Sequence, residues 1–124
     1  MADLVYPDMR QELILHLGHL ADLGYQQRVW VAREYPQPGY YDDFDTTFEC
    51  LEDVVSLSEP INAVGMTLKD DDEAAALAAL GAVFDRIFAE HGTALTDSQY
   101  LALPEWSAVI DAAQGALVKL TADS

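Results

Sequence analysis

Apolar residues in this chain recur every three or four positions, and no stretch shows strong period-two alternation. Met9, Leu13, Leu17 and Leu20 form one such series, with Ile14 beside it. Leu77, Leu80, Phe84, Ile87 and Phe88 form a second, and Trp106, Val109, Ile110, Ala113, Leu117 and Leu120 a third. A turn of 3.6 residues puts each series on one helix face, and each face needs another helix to cover it. The chain is therefore expected to be all-α, a bundle of five or six helices with at most one short extended segment.

Punctuation residues place the elements. Pro7 suits a first helical turn and Asp8 the positive end of the dipole, so a helix is expected over residues 7–20, weakened by about 1 kcal/mol at Gly18. Asp22 and Gly24 mark a turn. Residues 25–33 are expected to form a short helix, although RVWVA has strand composition and leaves a strand as the alternative. Tyr35-Pro36-Gln37-Pro38-Gly39 ends that element, because residues before proline favour extended backbone. Thr46 and Glu49 have capping-box spacing and predict a helix over residues 46–57, with Phe48, Leu51 and Val55 inward and Phe44 under its first turn. A connector follows, with one extended turn around residues 64–66. Asp70 is expected to cap the clearest helix, residues 70–91, which Gly92 stops. Thr96 and Gln99 form a second capping box, and Pro104 is an early position of the last helix. Residues 1–5 are a lead-in; Asp123 and Ser124 are a frayed tail. At 124 residues and 51% hydrophobic content, one domain spanning residues 1–124 is expected.

Charge limits the partners. Twenty-two acids stand against 6 Lys and Arg, for a net −16. Nucleic acid and anionic membrane would both repel such a chain. No apolar run approaches the ~20 residues that span a bilayer, and no secretory leader is evident, so a cytoplasmic protein is expected. A basic protein is the favoured partner, with acid-conferred solubility as the plain alternative.

The acid is densest at Asp42, Asp43, Asp45, Glu49, Glu52 and Asp53. Asp42 to Asp45 suit a helix N-terminus. Glu52 and Asp53 sit mid-helix among other acids and bear repulsion that a basic partner would relieve. Tyr35, Tyr40 and Tyr41, beside the prolines, are candidate aromatic anchors for such a partner. Arg28 and Arg33 are expected to stack on these tyrosines or pair with Asp42, Asp43 or Asp45 and lock the loop; the functional alternative is an anion clamp. Asp70 to Glu73 are expected to be a cap and a solvated first turn.

No metal and no cofactor is expected. The acidic run lacks the glycine and glutamate of a calcium loop. Glu12, His16 and His19 share a helix side but would ligate only if they faced a cleft. Cys50 is the sole cysteine, in an acidic segment with no histidine nearby. No catalytic motif is present.

The segments Tyr6 to Arg10, Arg28 to Val31, Tyr35 to Asp45 and Tyr100 to Trp106 together resemble a family of small actinobacterial proteins with no assigned activity. The resemblance spans most of the chain. It implies one compact cytoplasmic domain and brings no catalytic residues. In size and charge alone the chain is also similar to acidic immunity proteins that neutralise basic nucleases. The expectation is thus an acidic module that neutralises or regulates a basic protein, like an immunity protein or antitoxin. The alternatives are a small-molecule or divalent-metal binder using the tyrosine–aspartate loop, and a homodimeric structural module.

Overall fold

Six α-helices account for the architecture, and no strand occurs among the described residues. The structure, a computed structural model, describes residues 4–122. The first residues of the expected lead-in and the tail at Asp123 and Ser124 lie outside them. The helices are α1 (Pro7–Leu20), α2 (Leu23–Tyr25), α3 (Phe44–Val54), α4 (Asp71–His91), α5 (Asp97–Leu101) and α6 (Trp106–Thr121). No helix is long and apolar enough to cross a membrane.

The three apolar series meet as their spacing requires. Leu13, Leu17 and Leu20 of α1, Leu77, Leu80, Phe84 and Ile87 of α4, and Trp106, Val109, Ala113 and Leu120 of α6 are all buried. α6 lies against both α4 and α1, and α1 also packs on α3. Phe44 is the aromatic centre, with ring centroids 5.1 Å from Tyr100, 5.2 Å from Trp106 and 5.8 Å from both Trp30 and Phe84. Gly81 permits the tightest approach: a Cβ there would lie 2.7 Å from the Leu57 carbonyl oxygen.

Residues 25–31 are helical, so the strand alternative fails, but the helix stops at Val31 and is not of the expected type. α2 runs without a break into a π-helix at Gln26–Val31. The wider turn sends Gln26, Val29 and Trp30 inward together. Gln26 is fully buried and satisfied: its amide donates to the His19 and Leu20 carbonyls at 2.8 and 3.0 Å and accepts from Trp106 Nε1 at 2.9 Å. Arg33 follows the π-helix with φ 58°, a left-handed turn made without glycine.

Two expected helix starts are corrected. α3 begins at Phe44, because Asp43 caps it by accepting from the Thr46 amide at 2.7 Å; Thr46 is not the cap. α6 begins at Trp106, and Pro104 stays in the preceding turn. The caps at Asp70 and Thr96 and the stop at Gly92 occur as expected. The connector makes a 3₁₀ turn at Pro60–Ala63 and a single bridge between Val64 and Leu68.

The expectation of a solvated first turn on α4 is wrong at Glu73. Its carboxylate is buried and takes a two-point grip from Arg10, at 2.8 Å on each side. Arg10 also donates to the carbonyls of Thr67 and Leu120, at 3.0 and 2.9 Å. One guanidinium thus ties α1 to the start of α4 and the end of α6.

Candidate functional site

The acidic, tyrosine-rich segment divides into an inner and an outer set. From Tyr40 to Asp42 burial alternates, and the backbone is extended at Asp43. Tyr40 and Asp42 turn inward, whereas Tyr41 is 53% exposed. α3 then carries Asp45, Glu49 and Asp53 at four-residue intervals on one exposed side.

Asp42 is therefore not a surface residue, and its expected role against a partner is corrected. Its carboxylate accepts from Trp30 Nε1 at 2.8 Å and from the Tyr25 hydroxyl at 2.7 Å. The Thr47 hydroxyl lies 2.8 and 2.9 Å from its two oxygens. Tyr25 spends its one proton on Asp42, so the Tyr40 hydroxyl, 2.5 Å away, donates to Tyr25. Burial, with the bonds from Tyr40 and to Asp42, pushes the Tyr25 phenol far above its usual value. No Lys or Arg answers this buried carboxylate; neutral donors hold it instead. His19 stacks flat on Tyr25 at 4.1 Å, with Nδ1 3.7 Å from Asp42, beyond hydrogen-bond range. Burial holds His19 below its usual pKa; Asp42 opposes the shift and His16 adds to it.

Three other expected partner residues also serve the fold. Asp43 caps α3 and accepts from the Tyr41 hydroxyl. Burial pushes its carboxyl up, but the bonds from Tyr41 and Thr46 outweigh that and leave it below its usual value. Glu52 accepts from the Leu57 amide at 3.1 Å and fastens the chain leaving α3. Tyr35 is half-buried against the rings of Tyr40 and Tyr41. The expected locking pairs do not form: among the described residues neither Arg28 nor Arg33 has a carboxylate within 4.0 Å. Arg33 instead lines an open cleft of about 310 Å³ with Trp30, Asp43, Thr96, Asp97 and Ser98, and Arg28 takes no part in it.

Four residues of the expected surface remain exposed: Tyr41, Asp45, Glu49 and Asp53. No Lys or Arg lies within 4.0 Å of these three acids among the described residues. Cys50 feels two of them, Asp53 and Glu49, among its neighbouring acids. Burial raises its thiol pKa first, and Asp53, Asp42, Glu12 and Glu49 raise it further. That is the reverse of what a thiolate nucleophile needs. Beside Asp53 opens a groove of about 280 Å³, lined by Tyr6, Met9, Val54, Glu59 and Met66 among others. Its methionines were not flagged by charge or periodicity, because Met9 looked like core and Met66 like connector.

Glu12, His16 and His19 do not converge on a common point. Among the described residues, one set of three donors lies within 4.8 Å of one another, and it is Glu90, His91 and Glu105. The His91–Glu105 contact joins helices separated in sequence, which spacing could not reveal.

A family model described as "Domain of unknown function (DUF7945)" matches residues 4–124, and the chain belongs to that family. No curated protein and no solved structure matches it.

Proposed function

We propose that this DUF7945 member is an acidic binding module that captures a basic protein and neutralises or regulates it, in the manner of an immunity protein or antitoxin. The supporting observation is the exposed row Asp45, Glu49 and Asp53, which no Lys or Arg among the described residues answers. Carboxylates four apart on a helix repel one another at about 0.2–0.5 kcal/mol per pair. A row of this kind costs the fold something and returns it when Lys or Arg arrives. The adjoining groove supplies what charge alone does not. Its lining residues Tyr6, Met9, Val54 and Met66 offer apolar contact, and Asp53 and Glu59 line it too. Methionines adapt to the shape of an apolar guest. Charge then steers the encounter while apolar anchors hold the complex.

The test is affinity capture with the wild type and with the triple variant Asp45→Asn/Glu49→Gln/Asp53→Asn, followed by association kinetics on the recovered protein. A basic partner retained by the wild type and lost by the triple variant is expected. Its association rate should fall at least tenfold as salt rises from about 20 to 300 mM, as steered encounters do. A partner that binds both proteins equally, or an on-rate indifferent to salt, overturns the reading.

A further inference from the structure

We propose that Glu90, His91 and Glu105 form a binding site for a divalent first-row metal ion, with zinc as the best match. His91 Nε2 lies 2.6 Å from Glu105 Oε2, a hydrogen bond, and 3.6 Å from Glu90 Oε2, and one ligand atom from each of the three residues lies within 4.8 Å of the other two. Donors bound to one zinc at about 2.0–2.2 Å stand roughly 3–3.5 Å from each other. The two observed separations bracket that spacing, so an arriving ion replaces the His91–Glu105 hydrogen bond and spreads those two atoms apart.

Two features favour a cation there over a chance cluster. The donors come from two frames that are fixed together: Glu90 and His91 end α4, Glu105 immediately precedes α6, and those helices pack along one another. The nearby cation, Arg86, lines the same groove yet has no carboxylate within 4.0 Å among the described residues. The two carboxylates therefore have only the His91 ring between them. Imidazole nitrogen with carboxylate oxygen suits zinc better than calcium or magnesium, which take oxygen alone. The groove of about 330 Å³ beside the trio, lined also by Pro104, Ser107 and Ala108, leaves room for water or an outside ligand to complete the coordination. The site lies on the α4–α6 end of the fold and is independent of the partner reading.

The experiment is calorimetric titration of zinc chloride into chelator-treated protein, wild type and Glu90→Gln, Glu105→Gln and His91→Ala, each first checked by circular dichroism and melting. One equivalent bound with micromolar affinity is expected, weakened about tenfold or more in Glu105→Gln and His91→Ala. Glu90 is largely exposed, so Glu90→Gln tests the trio even if either of the other variants folds poorly. Cobalt(II) in place of zinc should give visible absorption bands that the variants lose. Millimolar binding, binding unchanged in all three variants, or magnesium competing as well as zinc overturns the proposal.

Discussion

Replacing Glu73 with glutamine keeps the shape of the side chain and deletes one charge. The surroundings make that change expensive. Arg10 and Glu73 are 7% and 6% exposed at the side chain and meet through two 2.8 Å bonds. Glu73 Oε1 also accepts from the Lys69 amide at 2.7 Å. Removing one member of a buried pair leaves the other charge without an answer, at about 3–5 kcal/mol. A domain of this size has about 5–15 kcal/mol in total. Glu73→Gln is thus expected to lose a large part of its stability in urea unfolding followed by emission of the buried Trp30 and Trp106. The double variant Arg10→Met/Glu73→Leu removes both charges and should recover much of the loss. It should not recover all of it, because the carbonyls of Thr67 and Leu120 and the Lys69 amide then lose partners, at about 1–3 kcal/mol for each group left dry. A loss below about 1 kcal/mol in the single variant, or a double variant equal to wild type, would refute this account of the joint. Acid supplies a second check. Burial alone would raise the Glu73 carboxyl, but the bonds from Arg10 and Lys69 win and hold it below its usual value of 4.5. A depressed carboxyl contributes stability above 4.5 that disappears as pH falls through the folded value. Glu73→Gln should lack that part of the acid limb.

At the Asp42 cluster, Asp42→Ala strands three donors and is expected to cost about 3–5 kcal/mol, whereas Asp42→Asn keeps one acceptor oxygen and should cost only about 1–2 kcal/mol; equal losses in thermal melts would refute the carboxylate's role as acceptor. Gly81→Ala gains about 1 kcal/mol in helix propensity yet should destabilise by a net ~1–2 kcal/mol, since the new methyl meets the Leu57 carbonyl at 2.7 Å; a more stable variant in urea would show that the two segments part freely. For His19, burial keeps the folded pKa below 6.5, so its contribution is complete above 6.5 and declines as pH drops from there through the folded value. His19→Phe, which keeps the stack on Tyr25, should flatten the stability profile below pH 6.5, and an unchanged slope would remove His19 as its source.

The parts of the fold that were legible depend on neighbours within one turn. Leu13, Leu17 and Leu20 announce a buried face through spacing alone, and Asp70, Thr96 and Gly92 announce helix ends through bonds to residues three or four away. Asp43 outcompeted Thr46 as a cap within that same range, a local choice that spacing left open. What stayed hidden are polar groups that go inside because of distant partners. Arg10 finds Glu73 63 positions away and the Leu120 carbonyl 110 positions away. Gln26 meets Trp106 80 positions away. A charge or an amide in a sequence looks like surface until the donor or acceptor that cancels its desolvation is known. Asp42 is the instructive case. Its neighbours Asp43 and Asp45 made it look like one more member of an acidic patch, whereas its carboxylate is buried against donors from Tyr25, Trp30 and Thr47.

That division of the segment also decides what its outer acids are for. Asp42, Asp43 and Glu52 bond to donors of the fold, so their removal should cost stability whatever the protein binds. Asp45, Glu49 and Asp53 have no ion-pair partner among the described residues and repel each other across two four-residue steps. Neutralising Glu49 and Asp53 with Gln and Asn relieves both like-charge pairs, worth together about 0.4–1 kcal/mol, and leaves Asp45 in the first turn of α3, where the helix dipole favours an acid. This double variant should therefore melt slightly higher than wild type, by about 2–6 °C for a domain of this size. The gain should shrink as salt screens the exposed charges. Residues retained against the interest of stability point to a demand from outside the fold. Were this double variant to melt lower instead, Glu49 and Asp53 would belong to the scaffold, and the case for a basic partner on this face would lose its footing.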